Sequence, residues 1–240
     1  MSLDAGPGVI IRDANKIINR EEIFYFANPA TNEPDIAPFS DLFRFKLLHE
    51  IGGWWCDVDT ICLSDSIPDW EYAWTRDAPE AFPASVGSAI IAFPKNDPVI
   101  QELYNRCHNL SVNFTDRDDL GPNLISYVLG ELGLPLDMSV EPDMFYSLRW
   151  IENFKFWLPE FREEIESKSV SAVFTPIFAS FAKNVGIDFT RLPPTGCFLD
   201  TIFETYNPDL QSTRTRYDCG VIKDLTKCLT EKGLSDFSEL

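Results

Sequence analysis

Two aspartates, Asp57 and Asp59, lie two residues apart in the run "SDLFRFKLLHEIGGWWCDVDTICL" from Ser40 to Leu63. On a β-strand such residues point to the same face, so the pair would present two carboxylates toward one point at a strand end. Like charges held that close call for a cation. Mg²⁺ is commonly held by one or two carboxylates together with substrate phosphates, and Mn²⁺ favours the same oxygen ligands. Upstream, Asp41 and Arg44 stand three apart in a helical pattern, the spacing of an ordinary ion pair worth a few tenths of a kcal/mol. A lone D-x-D is most often a solvated turn. What singles out this stretch is the set: an acid, a base, the ring of Trp55 and a pair of metal-type ligands within one helix-turn-strand unit.

The whole chain sets limits on that chemistry. Its 240 residues, 45% of them apolar, are enough for one domain or a tightly joined pair with a sizeable core, and we expect a single domain over 1–240. A formal net charge of -18 would repel a phosphate backbone, which excludes nucleic acid as a partner. The same field opposes any small anionic substrate unless a cation intervenes. A metal at Asp57 and Asp59 would supply one and let an acidic protein hold a diphosphate. The six cysteines, Cys56, Cys62, Cys107, Cys197, Cys219 and Cys228, include no CxxC pair, so neither a zinc site nor a redox dithiol is indicated. No apolar run reaches the roughly 20 residues of a membrane span. The opening "MSLDAGPGVI" lacks a basic and long apolar signal, and a cytoplasmic protein is expected.

The elements that must position these residues follow from periodicity. Val9–Ile11 reads as a short buried strand, and Asn28–Pro38 as loop. From Ser40, a plausible N-cap, Phe43, Leu47, Leu48 and Ile51 recur at helical spacing until Gly52-Gly53. "WWCDVDTICL" then suits a central strand, and "YAWTRD" and "VGSAIIAFP" two more. Helices are expected over 97–110, 122–132, 159–168, 178–185 and 197–206, with a strand at "SVSAVF". Residues 217–240 are read as a possible tail containing at most a weak helix. Strands alternating with helices place the chain in the α/β class. The rings of Trp54, Trp150 and Trp157 could line an acceptor groove, and "FREEIE" and "FTDRDD" read as solvated faces.

Ser40, Asp41, Arg44, Gly52, Gly53, Trp55, Asp57 and Asp59 together resemble the "SD-x-x-R…GG-x-[YW]-x-D-x-D" block of the DXD-containing sugar transferases. That group includes glycosyltransferase family 32, with its bacterial capsule enzymes, and the clostridial toxin glucosyltransferases are similar. "PVIQELYNRC" and "GPNLISYVLGELG" extend the likeness more weakly to about Trp150. The resemblance implies a GT-A-like mixed sheet flanked by helices and a nucleotide-sugar donor, most naturally a UDP-sugar. It further implies retention of anomeric configuration, and a saccharide or other acceptor in polysaccharide biosynthesis. It implies Mn²⁺ or Mg²⁺ between the diphosphate and the acids, with Asp59 a direct ligand and Asp57 facing the ribose and the metal shell. Asp41 would accept hydrogen bonds from donor sugar hydroxyls, Arg44 would lie nearby at sugar or phosphate, and Trp55 would lie beside the donor.

The chain departs from that pattern in three places. Only 56 residues precede Asp57, so part of the N-terminal nucleotide-binding unit is expected to be lacking. Phe174 in "AVFTPIF" stands where capsule-type relatives carry a His near the metal, and Ser88 stands in for an Asn. His49 and His108 fall on expected helices and supply no substitute. These departures favour an alternative, a catalytically disabled relative that binds without transferring. A phosphatase using D-x-D-x-T is disfavoured because Thr60 follows Asp59 directly. A two-carboxylate glycosidase is disfavoured because acids two apart on one strand flank a glycosidic bond poorly.

Overall fold

The computed structural model describes residues 8–27, 34–77, 85–111, 114, 117–138, 140–206 and 214–231. The chain divides into two compact units, one formed by Met1–Trp55 with Ala92–Pro135 and the other by Cys56–Ile91 with Leu136–Leu240.

Three helices build the first unit: α1 (Ala37–Ile51), α2 (Pro98–Leu110) and α3 (Pro122–Glu131). In α1 the buried face is Pro38, Leu42, Phe45 and Leu48, a stripe at i, i+4, i+7 and i+10. Phe43 and Leu47, expected on that face, are half-buried, and Ile51 is exposed. The helix also starts earlier than its Ser40 signal, because Pro38 suits the first turn and the Ser40 N–H already donates to the Ile36 carbonyl at 3.1 Å. It stops where expected, at Gly52, whose φ of 74° lies in the left-handed region and whose Cβ would fall 2.5 Å from the Lys95 nitrogen. Asp97 caps α2 by accepting from the Val99 and Ile100 N–H groups at 2.8 and 3.2 Å. Leu124, Ile125, Val128 and Leu129 give α3 its buried face.

The expected strand at Val9–Ile11 does not form. All three side chains are exposed and a 3-10 turn, Ala14–Lys16, follows them. In the expected loop, 28–33 lie outside the described residues, while β2 (Pro34–Asp35) pairs antiparallel with β1 (Phe26–Ala27) and Ala37 already opens α1.

β3 (Gly53–Cys56) neighbours β5 (Ile90–Phe93), and in the second unit β4 (Thr60–Cys62) runs antiparallel to β6 (Phe174–Pro176). The described strands thus form three two-stranded sheets rather than one mixed sheet. Each is two to four residues long and soon interrupted, β6 by Pro176 and β3 by the turn after Cys56. In class the chain is helices mixed with small sheets, consistent with α/β. "YAWTRD" contributes only isolated bridges, Trp74 to Met138 and Arg76 to Val86, and the strand expected at "SVSAVF" begins at its last residue.

Around the 3-10 stretch Trp150–Trp157, the second unit gathers α4 (Pro142–Phe145), α5 (Arg162–Ser169), α6 (Ala179–Asn184), α7 (Phe198–Tyr206) and α8 (Cys219–Glu231). Phe156, Trp157, Ile165, Phe198, Leu199 and Ile222 are core residues there. Trp157 is therefore no groove wall: it packs edge-on to Phe189 and Tyr217. The possible tail carries α8, with Ile222 and Thr226 buried, and 232–240 lie outside the described residues.

One polar knot fastens the Trp74 bridge. The Asp137 carboxylate accepts from Thr75 Oγ1 (2.7 Å), the Arg76 backbone N–H (3.0 Å) and Arg76 Nε (2.8 Å). Burial works against the charged carboxylate, but the bonds from Arg76 and Thr75 outweigh it and hold Asp137 below the usual range. A depressed folded-state pKa means stability that is present above the ordinary value near ~3.9 and lost as pH falls through the folded value. Asp137→Asn is expected to cost about 1–3 kcal/mol at pH 7 in urea unfolding and to flatten the loss of stability on acidification below pH ~4.

Candidate functional site

The paired acids do not share a strand. β3 ends at Cys56, and the Thr60 N–H donates to the Asp57 carbonyl at 3.0 Å, closing a four-residue turn with Val58 and Asp59 at its centre. Val58 is fully exposed at the tip, flanked by half-buried Asp57 and Asp59. The two-residue period of a strand does not govern such a turn, so no common strand face sets how the two carboxylates lie. The Asp57 N–H is fixed by the Ala89 carbonyl at 2.9 Å.

Asp59 is attached twice to a distant segment. Its carbonyl accepts from the Ile177 N–H at 2.9 Å and its Oδ2 from the Ala179 N–H at 2.7 Å. Oδ1 is left without a hydrogen bond among the described residues. Among these residues no three His, Cys, Asp or Glu side chains converge on one point. Two carboxylates, one with a free oxygen, fit an ion that takes its remaining ligands from water and phosphate, as Mg²⁺ and Mn²⁺ do. They do not fit a closed all-protein cage.

Phe174, expected in place of a metal-adjacent His, sits in β6 opposite Cys62. It is 2% exposed and edge-on to Phe145 at 5.8 Å. It is a core ring, and among the described residues the hydrogen bonds to Asp59 come from Ile177 and Ala179. His49 lies on α1 and His108 on α2, as read from the sequence.

In the first unit Asp41, Arg44 and Trp55 come together. Arg44 Nη1 lies 3.1 Å from Asp41 Oδ1, and the guanidinium sits over the Trp55 ring at 5.0 Å, with Phe43 edge-on to that ring. The pair lies in the second turn of α1, with Asp41 6% and Arg44 4% exposed. Gly121, just before α3, explains the burial, since a Cβ there would lie 2.7 Å from Asp41 Oδ2. The carboxylate is thereby pressed against the start of α3, the end of a helix that favours an anion. The nearby Cys107 thiol is pushed up by burial and by Asp41, with Arg44 opposing, and stays protonated and inert.

Residues 28–113 match the model of a family described as capsular polysaccharide synthesis protein, a span that contains Asp41, Arg44, Trp55, Asp57 and Asp59. No curated protein matches the chain. Over the matched span the chain is similar to capsular polysaccharide synthesis proteins.

Proposed function

We propose that the chain is a glycosyltransferase of polysaccharide biosynthesis, moving a sugar from a UDP-sugar or related nucleotide sugar to a saccharide acceptor. In this reading it has a GT-A-like architecture, a cytoplasmic setting, and Mn²⁺ or Mg²⁺ at Asp57 and Asp59. The observation that carries it is the family match over 28–113, because that span encloses the acidic turn. Among the described residues no helix is long and apolar enough to cross a membrane.

Bound at the turn, the ion would act as a Lewis acid on the diphosphate and offset charge on the leaving group. The chain's own part begins with the turn. Its exposed tip makes the acids reachable, and the anchored Oδ2 leaves Oδ1 of Asp59 to face a ligand. A chain of net charge -18 repels an anionic donor, so donor binding should depend on the ion. Asp41 and Arg44 are too enclosed to serve a sugar hydroxyl or a phosphate without rearrangement. In this reading they act through Trp55, by holding its half-buried ring on the guanidinium.

Calorimetry with UDP-sugars and Mn²⁺ tests the proposal. Metal-dependent binding with slow donor hydrolysis is expected, and Asp59→Asn, which keeps an acceptor for the Ala179 N–H, should weaken it by about tenfold or more. Binding without hydrolysis would favour the disabled relative, the reading that the departures from the family pattern suggest. No binding to any nucleotide sugar would overturn the transferase. Arg44→Leu should destabilise the fold by about 3–5 kcal/mol, because it removes the cation beside the buried Asp41 charge, and Asp41→Asn in the same chain should restore much of the loss. A drop in donor affinity at unchanged stability would instead put Arg44 on the phosphate.

A further inference from the structure

Between the two N–H groups that hold Asp59 lies a backbone segment under unusual control. Phe178 has φ of 46°, in the left-handed region that a bulky side chain rarely occupies. Its ring stacks on Tyr146 at 6.3 Å and 17°. Tyr146 in turn occupies space that only a glycine leaves, since a Cβ on Gly87 would come within 2.1 Å of its oxygen. Asn153, 1% exposed in the 3-10 stretch Trp150–Trp157, donates through Nδ2 to the Ile177 carbonyl at 3.0 Å and the Phe178 carbonyl at 2.9 Å. Two carbonyl acceptors fix the sense of this amide, because the reversed orientation would set Oδ1 against both oxygens.

The order of contacts along the chain gives this a consequence. The Ile177 N–H reaches the Asp59 carbonyl, the Ile177 and Phe178 carbonyls meet Asn153, and the next N–H, that of Ala179, reaches the Asp59 carboxylate. The peptide that follows Phe178 can aim its N–H at Asp59 only while the residue keeps its left-handed conformation. Asn153 grips the carbonyls on either side of that residue. Backbone held in a sparsely populated conformation persists where its surroundings over-determine it, and the ring stack and the amide fork do so here.

We propose that Asn153 is a positioning residue for the acidic turn. It locks the Ile177–Phe178 backbone so that the Ala179 N–H orients the Asp59 carboxylate and presents its other oxygen to the divalent ion. The metal half of this inference rests on the transferase reading, whereas the backbone lock does not.

Amide hydrogen exchange and Mn²⁺ titration of the full chain test both halves. In the wild-type protein the Ala179 amide should exchange slowly. Asn153→Asp conserves shape but turns an acceptor toward two carbonyls, so it should speed Ala179 exchange by about tenfold or more and weaken Mn²⁺ binding by about tenfold, the usual loss for a residue supporting a metal ligand. Turnover at saturating Mn²⁺ should recover, which a general loss of structure would not allow. Phe178→Gly permits the same φ and keeps the fork, and should hold Mn²⁺ affinity within about twofold. The proposal is overturned if the wild-type Ala179 amide exchanges at an open-chain rate, if Asn153→Asp leaves Mn²⁺ affinity unchanged, or if Phe178→Gly abolishes it. Should the wild-type chain bind no Mn²⁺, the transferase reading falls, and the exchange rates alone decide whether Asn153 holds the Ala179 amide.

Discussion

The acidic turn depends on the bond between the Asp59 carboxylate and the Ala179 N–H, which joins residues 120 positions apart. A β-turn bearing two aspartates and an exposed valine has little local reason to keep one geometry, since its single closing bond competes with solvation. Fixing it from a remote segment is entropically tolerable, because closure cost grows only logarithmically and a doubling of the loop adds about 0.6 kcal/mol. The β4–β6 ladder brings Pro176 opposite Thr60, so the chain beyond the strand end runs past Asp59. The orientation of the carboxylate is thus a property of the folded second unit rather than of the D-x-D motif.

Elements with a local start signal were legible in the sequence. Asp97-Pro98 and Gly121-Pro122 set the starts of α2 and α3, since a capping carboxylate and a first-turn proline act within a few residues. The strand readings failed where composition alone spoke. "WWCDVDTICL" has the aromatic and β-branched content of a strand, but a hairpin-like return has the same content. The one available turn signal was an aspartate at the first position of a type I pattern, without the usual glycine or asparagine. Val9–Ile11 shows the complementary limit: three apolar residues name a propensity and no partner.

At the site, spacing revealed that Asp41 and Arg44 pair but not that they are buried. An i, i+3 ion pair looks the same in sequence whether water or another helix covers it. Its burial comes from Gly121, eighty positions downstream, whose missing side chain admits the carboxylate. Asn153 carried no signal at all. Its role exists only because a 3-10 stretch places one amide beside two carbonyls from a separate element, and no periodicity encodes that meeting. Phe174 matches a family His only through resemblance of the surrounding motif, whereas β-pairing places it opposite Cys62 and in the core.

The buried pair bears on function through its cost. Desolvating an aspartate and an arginine is repaid only with good geometry, and apolar replacements of similar shape are often as stable or more so. Stability alone is therefore a weak reason for Asp41 and Arg44. What the pair adds is orientation: the guanidinium is held by the carboxylate on one side and presents its face to Trp55 on the other, a geometry lysine would not reproduce. A ring backed by a cation that a buried carboxylate holds is a rigid surface obtained in a unit of only three principal helices. On the transferase proposal such a surface would suit a sugar ring, because stacking on an indole is effective when the ring is already ordered and little conformational entropy is lost on binding. The acidic turn and the tryptophan are thus each immobilised by an independent device, one built on backbone amides and the other on a buried charge pair.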